Sequence, residues 1–456
     1  MSGAHNTSYF YTARMPRGGA GLPTRNSDNM NLIQPNSTLH PVMVISLDGT
    51  PLSLLKKRSR LPESIWPQIL SNGTIREIRS SRPEMSSVAW ASYLTGKNPG
   101  EHGVFGFVEA QLSPRPRLIY PKGSDLLAPT ILRRVHEAGG TVVSINVPMT
   151  EPPPPVRGVV IGGFLGVDLT GNVHPPELED QLRRDGYIVD VEPSLAYENR
   201  DRFLDALNST LDARLRAARR FATEVPWDYF HLHIMETDRL YHFFWDEQKF
   251  EDRFNELLSH CEQTVLEFAE LAEQRGAALV LLSDHGFTRC KRIVFINALL
   301  EKIGLLHYAG SNPSFETIHP DSTAYALAPG RVFMRVKAGP DRENARDKLA
   351  EILRDIRDPL TGEKPFVSVD LREDLYHGPH VNRAADLILL PKAGYDIKAD
   401  FGADKVFETP SVLVGAHTYN DAFFFATGGN VSSWQDGEMD IAEAGNEVMR
   451  LLGLAV

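Results

Sequence analysis

Apolar runs of strand length, each closed by a polar tip, recur along this chain. The clearest is residues 277–287, where an unalternated apolar run over Ala278–Leu282 stops at Ser283, Asp284, His285 and Gly286. A run without polar alternation suits a strand buried on both faces, as in a parallel sheet. Open α/β sheets bind ligands at the carboxyl ends of their strands, and packing needs nothing so polar there. A carboxylate beside an imidazole at that tip therefore reads as a metal site. Two other runs end the same way. Residues 41–47 deliver Asp48, Gly49 and Thr50, and residues 227–235 deliver Glu236 and Asp238, with His242 one helical turn beyond. If a helix begins there, Asp238 and His242 share one face and can clasp one cation.

Helical periodicity fills the spaces between these runs. The spacing predicts a short helix over residues 88–94, with Ser86 at its N-cap and Gly96 just past its end. A helix over 129–138 followed by a strand over 140–147 fits one βαβ unit. Residues 201–225 are amphipathic, with Leu204, Leu207, Leu211, Leu215 and Phe221 on one face. A long helix over 250–274 leads into the 277–287 stretch. Further strands are predicted at 384–391 and 422–428, and a closing helix at 440–452. The fold class implied is α/β, a large mostly parallel mixed sheet sandwiched between helices. Residues 300–380 lack this rhythm and carry Pro313, Pro320, Pro329, Pro340 and Pro359. They are expected to form a cap inserted near the mouth of the site, and residues 167–200 a second, smaller cap insertion. Residues 1–40, rich in Ser, Asn, Gly, Pro and Arg, are expected to be a flexible arm ahead of a catalytic domain over 41–456. No internal repeat is evident.

Composition narrows the partners. The chain has 456 residues, 42% hydrophobic and 23% charged, an ordinary globular balance. A formal net charge of −11 with no Lys/Arg run argues against a nucleic-acid polymer. It leaves room for a small phosphate ester, whose charge metals can meet locally. Two cysteines, Cys261 and Cys290, form no disulfide framework and suit a reducing compartment. No stretch approaches the roughly 18 apolar residues of a membrane span, and the N-terminus lacks an apolar signal core. A cytoplasmic protein without a membrane partner is the expectation. The oligomeric state is not legible.

The candidate site gathers Asp48, Ser86, Asp238, His242, Asp284, His285 and His417. Each has a plainer reading. Asp48 could cap the next helix, and Ser86 could simply start one, with Ser87 as the competing hydroxyl. His102, His231 and His233 read as buried, hydrogen-bonded residues rather than ligands. Yet several such groups at strand ends are hard to ascribe to accident. A hydroxyl at a helix N-terminus is well placed to carry negative charge and to face a phosphoryl oxygen. Imidazole and carboxylate without thiolate suit Zn²⁺ and admit Mn²⁺ or Fe, and seven ligands are right for two ions.

Taken together, Val44-Ile-Ser-Leu-Asp48-Gly49, Ser86 with Thr95-Gly96 beyond it, Asn98-Pro-Gly-Glu-His102-Gly103, Asp238-x-x-x-His242, Ser283-Asp284-His285-Gly286 and Gly415-Ala-His417-Thr resemble the alkaline phosphatase superfamily. The resemblance is to its type I phosphodiesterase and nucleotide pyrophosphatase branch. It implies one metal held by Asp238, His242 and His417, and another by Asp48, Asp284, His285 and the Ser86 oxygen. It also implies Ser86 as nucleophile, a phosphoseryl intermediate and a phosphodiester or nucleotide-like substrate. Two departures stand out: Ala89 replaces an Asn of the phosphate pocket, and Trp90 replaces the usual His. Lys97 and Arg239 are candidates to supply the missing contact. Neither cysteine heads the Cys-x-Pro-x-Arg motif of the sulfatases. The alternatives are a phosphomonoesterase, phosphonate hydrolase or phosphomutase on the same core, and a catalytically silent relative that only binds a ligand.

Overall fold

Val42–Leu47 forms a strand with every residue buried, and its side chains alternate between two cores. Met43, Ile45 and Leu47 enter one, and Val42 and Val44 enter the other. This is the packing that an unalternated apolar strand requires. The computed structural model describes residues 38–71, 73–112, 115–164, 168–431 and 437–456. Residues 1–37, nearly all of the expected arm, lie outside the described residues, as does Val167 at the edge of the smaller expected insertion.

The strand lies in a nine-stranded sheet ordered Glu438–Asp440, Gly73–Arg79, Ala422–Thr427, Ala278–Leu282, Val42–Leu47, Tyr229–Ile234, Val142–Ile145, Gly158–Ile161 and Val173–His174. All but Ala422–Thr427 and Val173–His174 run in one direction. The three strands with acidic tips are immediate neighbours. Leu47 pairs with Ile234, and Ser46 with Leu282, so their carboxyl ends finish level. One face is covered by helices Arg200–Glu224 and Glu251–Gln274, the other by Ser86–Thr95, Ile131–Glu137 and Ile441–Leu451.

Helix Ser86–Thr95 is buried along its whole length. It begins at Ser86 itself, with Met85 at the cap position and no side-chain cap. The expected N-cap role of Ser86 is thus corrected: its hydroxyl turns into the site instead of closing the helix. Gly96, at φ 64°, ends the helix in the left-handed conformation that glycine adopts without cost. Gly445 lets Ile441–Leu451 cross closely, since a Cβ there would stand 1.9 Å from the Tyr93 carbonyl oxygen.

The expected insertions differ from what folds. A third core gathers Val294 through Ala399 around short strands. Four of these, Ala324–Leu327, Arg331–Met334, Phe366–Leu371 and Leu387–Pro391, form one sheet, and Arg292–Phe295, Tyr395–Lys398 and Phe407–Glu408 another. This subdomain is wider than 300–380 at both ends, and the strand expected at 384–391 belongs to it rather than to the main sheet. Leu169, Val173, Leu182, Tyr187, Val189, Val191 and Ala196 pack into the main core, and Val173–His174 is its edge strand.

Candidate metal centre

Five side chains arrive at the sheet's carboxyl edge on adjacent elements. Asp48 follows Val42–Leu47, Asp284 and His285 follow Ala278–Leu282, and Asp238 and His242 stand one turn apart on helix Glu236–Phe244. His417 comes from farther along the chain. Gly415–Thr418 pairs antiparallel with Gly286–Arg289, placing His417 opposite Phe287 and stacking its ring on His285 at 3.6 Å between centroids.

Six of the seven candidates resolve into two clusters, and Ser86 stands beside one of them. Ligand atoms of Asp238, His242 and His417 lie within 4.8 Å of one another, and so do those of Asp48, Asp284 and His285. Hydrogen bonds on the far side of each ring set which nitrogen faces inward. Nδ1 of His242 donates to the Gly415 carbonyl at 3.3 Å and Nδ1 of His417 to the Glu84 carbonyl at 3.0 Å. Both Nε2 atoms therefore carry lone pairs, yet they stand 3.0 Å apart, with Asp238 Oδ1 at 3.4 and 3.3 Å. In the second cluster, Nδ1 of His285 donates to the Gly286 carbonyl at 3.1 Å. Its Nε2 faces Asp284 Oδ2 at 3.4 Å, Asp48 Oδ1 at 3.5 Å and Ser86 Oγ at 3.2 Å. Asp238 Oδ1 and Asp284 Oδ2 have no hydrogen-bond partner although both residues are buried. Acceptors converging in this way repel one another unless a proton or a cation lies between them, so each cluster could hold a metal ion.

The electrostatics agree at three of the ligands, whereas at His417 the contact with Asp238 outweighs burial and raises the imidazole above its ordinary value, so that ring can hold a proton. Burial, and then the neighbouring Asp48 charge, push the Asp284 carboxyl well above the usual carboxylate range. Burial takes the His285 imidazole down to about 3 and the His242 imidazole to about 4, which leaves both rings as neutral ligands.

Ser86 Oγ lies 3.5 Å from Asp48 Oδ1 and opens onto a cleft of about 920 Å³, its open mouth included. Asp238, His242 and His417 line the cleft, but Asp48, Asp284 and His285 sit behind Ser86 and do not. The cap supplies Pro329, Tyr395, Ile397 and Lys398, and the stacked pair Phe107 and Phe164 forms another wall, with centroids 5.6 Å apart. Arg239 reaches the cleft, but its guanidinium already holds Asp190 Oδ2 at 2.5 Å and Asp238 Oδ2 at 2.9 Å. Lys97 is not brought to the cleft. It follows the far end of the helix that begins at Ser86. Ser87 lines the cleft without meeting either cluster.

His102, His231 and His233 are buried and hydrogen-bonded. Three contributors went unread in the sequence. Trp90 Nε1 donates to Asp48 Oδ2 at 3.1 Å, the Glu84 backbone orients His417, and Lys398 comes from the subdomain paired with Asp396 at 2.8 Å. Only Trp90 left a signal, one helical turn after Ser86 on the same face.

A mostly parallel sheet with carboxylates and imidazoles at neighbouring strand tips is the architecture of the alkaline phosphatase superfamily. Residues 42–420 match the family model for type I phosphodiesterase / nucleotide pyrophosphatase, and the chain belongs to that family, which places it among the phosphoester hydrolases. Among solved structures it is similar to phosphonoacetate hydrolase from Sinorhizobium meliloti 1021 in complex with phosphonoformate. That match has a TM-score of 0.63 and 16% identity, and covers 91% of this chain and 96% of the other. It is also similar to human ectonucleotide pyrophosphatase / phosphodiesterase 5, at TM-score 0.57 and 14% identity over 91% and 96%. An inactive form of the murine counterpart, in complex with AMP, gives 0.55 and 16% over 91% and 96%. At these identities the likeness speaks for the fold. No curated protein matches this sequence. Among the described residues no helix is long and apolar enough to cross a membrane.

Proposed function

We propose that this protein is a two-metal phosphoester hydrolase that transfers a phosphoryl group to Ser86 Oγ and then to water. The observation that carries this reading is Ser86 itself. Its hydroxyl begins a buried helix, 3.2 Å from His285 Nε2 and 3.5 Å from Asp48 Oδ1, on a cleft that Asp238, His242 and His417 also line. Asp238, His242 and His417 would hold one ion, and Asp48, Asp284, His285 and Ser86 Oγ the other. Imidazole and carboxylate donors favour zinc, with manganese or iron admissible. Such ions lower the pKa of a neighbouring hydroxyl and neutralise charge on phosphoryl oxygens.

The chain's own groups perform the rest. The Ser86 oxygen attacks phosphorus in line, so the leaving oxygen departs on the far side, toward Asp238, His242 and His417. The helix N-terminus adds backbone dipoles where the phosphoryl oxygens gather charge. Water then displaces Ser86 from phosphorus, and two displacements give net retention.

For the substrate, the cleft supports a phosphodiester or nucleotide-like ester. Phe107, Phe164, Met85, Ile397 and Leu413 offer apolar and aromatic surface to an organic group beyond phosphorus. The murine neighbour's complex with AMP is consistent with that choice. A phosphonate with a carboxylate arm, like the ligands of the phosphonoacetate hydrolase neighbour, is the second reading. It is favoured by Arg239 and Lys398 in the cleft, but each already holds a carboxylate of the protein. The buried cysteines Cys261 and Cys290 are both free, which supports a cytoplasmic setting.

The test compares p-nitrophenyl phosphate, a nucleotide p-nitrophenyl diester and phosphonoacetate on zinc- or manganese-loaded protein, with Ser86→Ala alongside. A diester preference that falls at least about a thousandfold in the variant, with metal content unchanged, is the expected result. Activity surviving in Ser86→Ala would remove Ser86 as nucleophile. Silence on all three substrates with two metals bound would favour the binding-only alternative.

A further inference from the structure

Behind the second ligand cluster runs a line of fully buried polar groups that the proposed reaction does not use. Asp48 offers only Oδ1 to the cluster, toward Ser86 and His285. Its other oxygen, Oδ2, receives Trp90 Nε1–H at 3.1 Å and lies 3.1 Å from His233 Nε2, a close approach that falls short of hydrogen-bond geometry and leaves Nε2 without a hydrogen-bond partner. Trp90 and His233 meet edge to face at 4.9 Å, so the two rings brace one another beside Asp48. His233 Nδ1 lies 2.9 Å from Ser46 Oγ, Ser46 Oγ lies 2.9 Å from His231 Nε2, and His231 Nδ1 lies 2.9 Å from the Tyr229 hydroxyl, itself 3.3 Å from that of Tyr93.

One hydroxyl proton on Ser46 allows this line only two directions. A carboxylate oxygen accepts and cannot donate, so with one proton on its ring His233 turns that proton, on Nε2, toward Oδ2 and presents a lone pair at Nδ1. Ser46 then donates to His233 and accepts from His231 Nε2–H, and His231 Nδ1 accepts from Tyr229. Every bond points toward Asp48. Burial holds His231 well below its ordinary pKa, so the ring stays neutral and keeps one proton to place.

We infer that the Tyr229–His231–Ser46–His233 relay, together with the Trp90 indole, pins Asp48 Oδ2 and so reserves Oδ1 as a single-oxygen ligand for the second cation. Trp90 and His233 are positioning residues that act through Asp48. The inference rests on the two-cation reading of the site. It also explains why a tryptophan is accommodated so close to the nucleophile: its N–H replaces water as the donor to a buried carboxylate.

Two measurements on the full chain test it. Nitrogen-15 spectra of histidine-labelled, metal-free protein should show both His231 and His233 as Nε2–H tautomers. A Nδ1–H tautomer at either ring would overturn the relay, whatever any variant does. Zinc binding, read by chelator competition, should be about tenfold or more weaker at one of two sites in Trp90→Phe and His233→Leu, and closer to normal in His233→Gln, whose amide N–H reaches as the imidazole Nε2–H does. Equal weakening in His233→Leu and His233→Gln would mark a packing effect, and unchanged affinity in all three would also overturn the inference. If the unaltered protein binds no zinc, the two-cation reading fails, and the tautomers still decide the relay.

Discussion

Replacing Asp284 by Asn should reverse its effect on stability according to whether metal is bound. Asp48 and Asp284 are both fully buried, and their ligand oxygens lie within 4.8 Å of one another. Two unit charges at that separation repel by about 3 kcal/mol at an effective dielectric constant of about 20. In Asp284→Asn the amide oxygen would keep the hydrogen bond that Asp284 Oδ1 accepts from Gly49 N–H at 3.1 Å. The amide nitrogen would place an N–H where Oδ2 now faces the His285 Nε2 lone pair at 3.4 Å. The metal-free variant should therefore be more stable than the metal-free parent by about 3 kcal/mol, or about 3 °C in Tm for a chain of 456 residues. The comparison belongs at alkaline pH, because the raised Asp284 pKa lets the parent relieve the repulsion by taking up a proton as the pH falls. Excess zinc should reverse the order, since ligand binding stabilises only the protein that keeps the site. Calorimetry with and without chelator measures both. A metal-free variant no more stable than the parent, or equal protection of both by zinc, would refute the reasoning that these acceptors are arranged around a cation.

Other consequences lie away from the ligands. Glu151 is 4% exposed, neither carboxylate oxygen has a partner, and burial raises its pKa to about 8 from 4.5. The folded protein thus holds a proton that the unfolded chain releases, so this residue's stability is full below about pH 4.5 and is lost as pH rises toward 8. Thermal scans across that range should show the parent losing about 3 kcal/mol by pH 7 relative to Glu151→Gln. Arg214, fully buried, is paired with Glu236, and Glu236→Gln should cost about 3–5 kcal/mol in denaturant titrations by leaving that charge uncompensated. Gly445→Ala must push apart the helices Ile441–Leu451 and Ser86–Thr95, because its Cβ would meet the Tyr93 carbonyl. A loss of about 1–3 kcal/mol and a fall in kcat, as the helix bearing Ser86 shifts, are expected from melting and rate measurements.

The main sheet was legible because its central strands are buried on both faces and so spell themselves as apolar runs. Their tips were legible for the same reason: Asp48, Asp284 and His285 interrupt those runs where packing alone would not. His417 stands among the candidates from the sequence, but its grouping with Asp238 and His242 needed the family resemblance, since the ribbon that sets it against His285 joins segments more than a hundred residues apart. The cap's limits were missed because strands such as Ala324–Leu327 and Arg331–Met334 are only four residues long and too short to show a period. Residues 167–200 read as an insertion in the sequence, although the scattered apolar side chains of 168–200 close one end of the main core. The start of the Ser86 helix was misplaced because a serine before an apolar run has the pattern of an N-cap. Only the site's geometry shows its hydroxyl facing Asp48 and His285 instead.

The most direct test of the two-metal account is an anomalous diffraction map, collected at the zinc absorption edge, of crystals grown with zinc. The account requires two peaks, roughly 4 Å apart as in other two-metal sites. One should lie about 2 Å from Asp238 Oδ1 and the Nε2 atoms of His242 and His417. The other should be similarly close to Asp48 Oδ1, Asp284 Oδ2 and His285 Nε2, with Ser86 Oγ beside it. A single peak, or zinc bound away from these atoms, would contradict it.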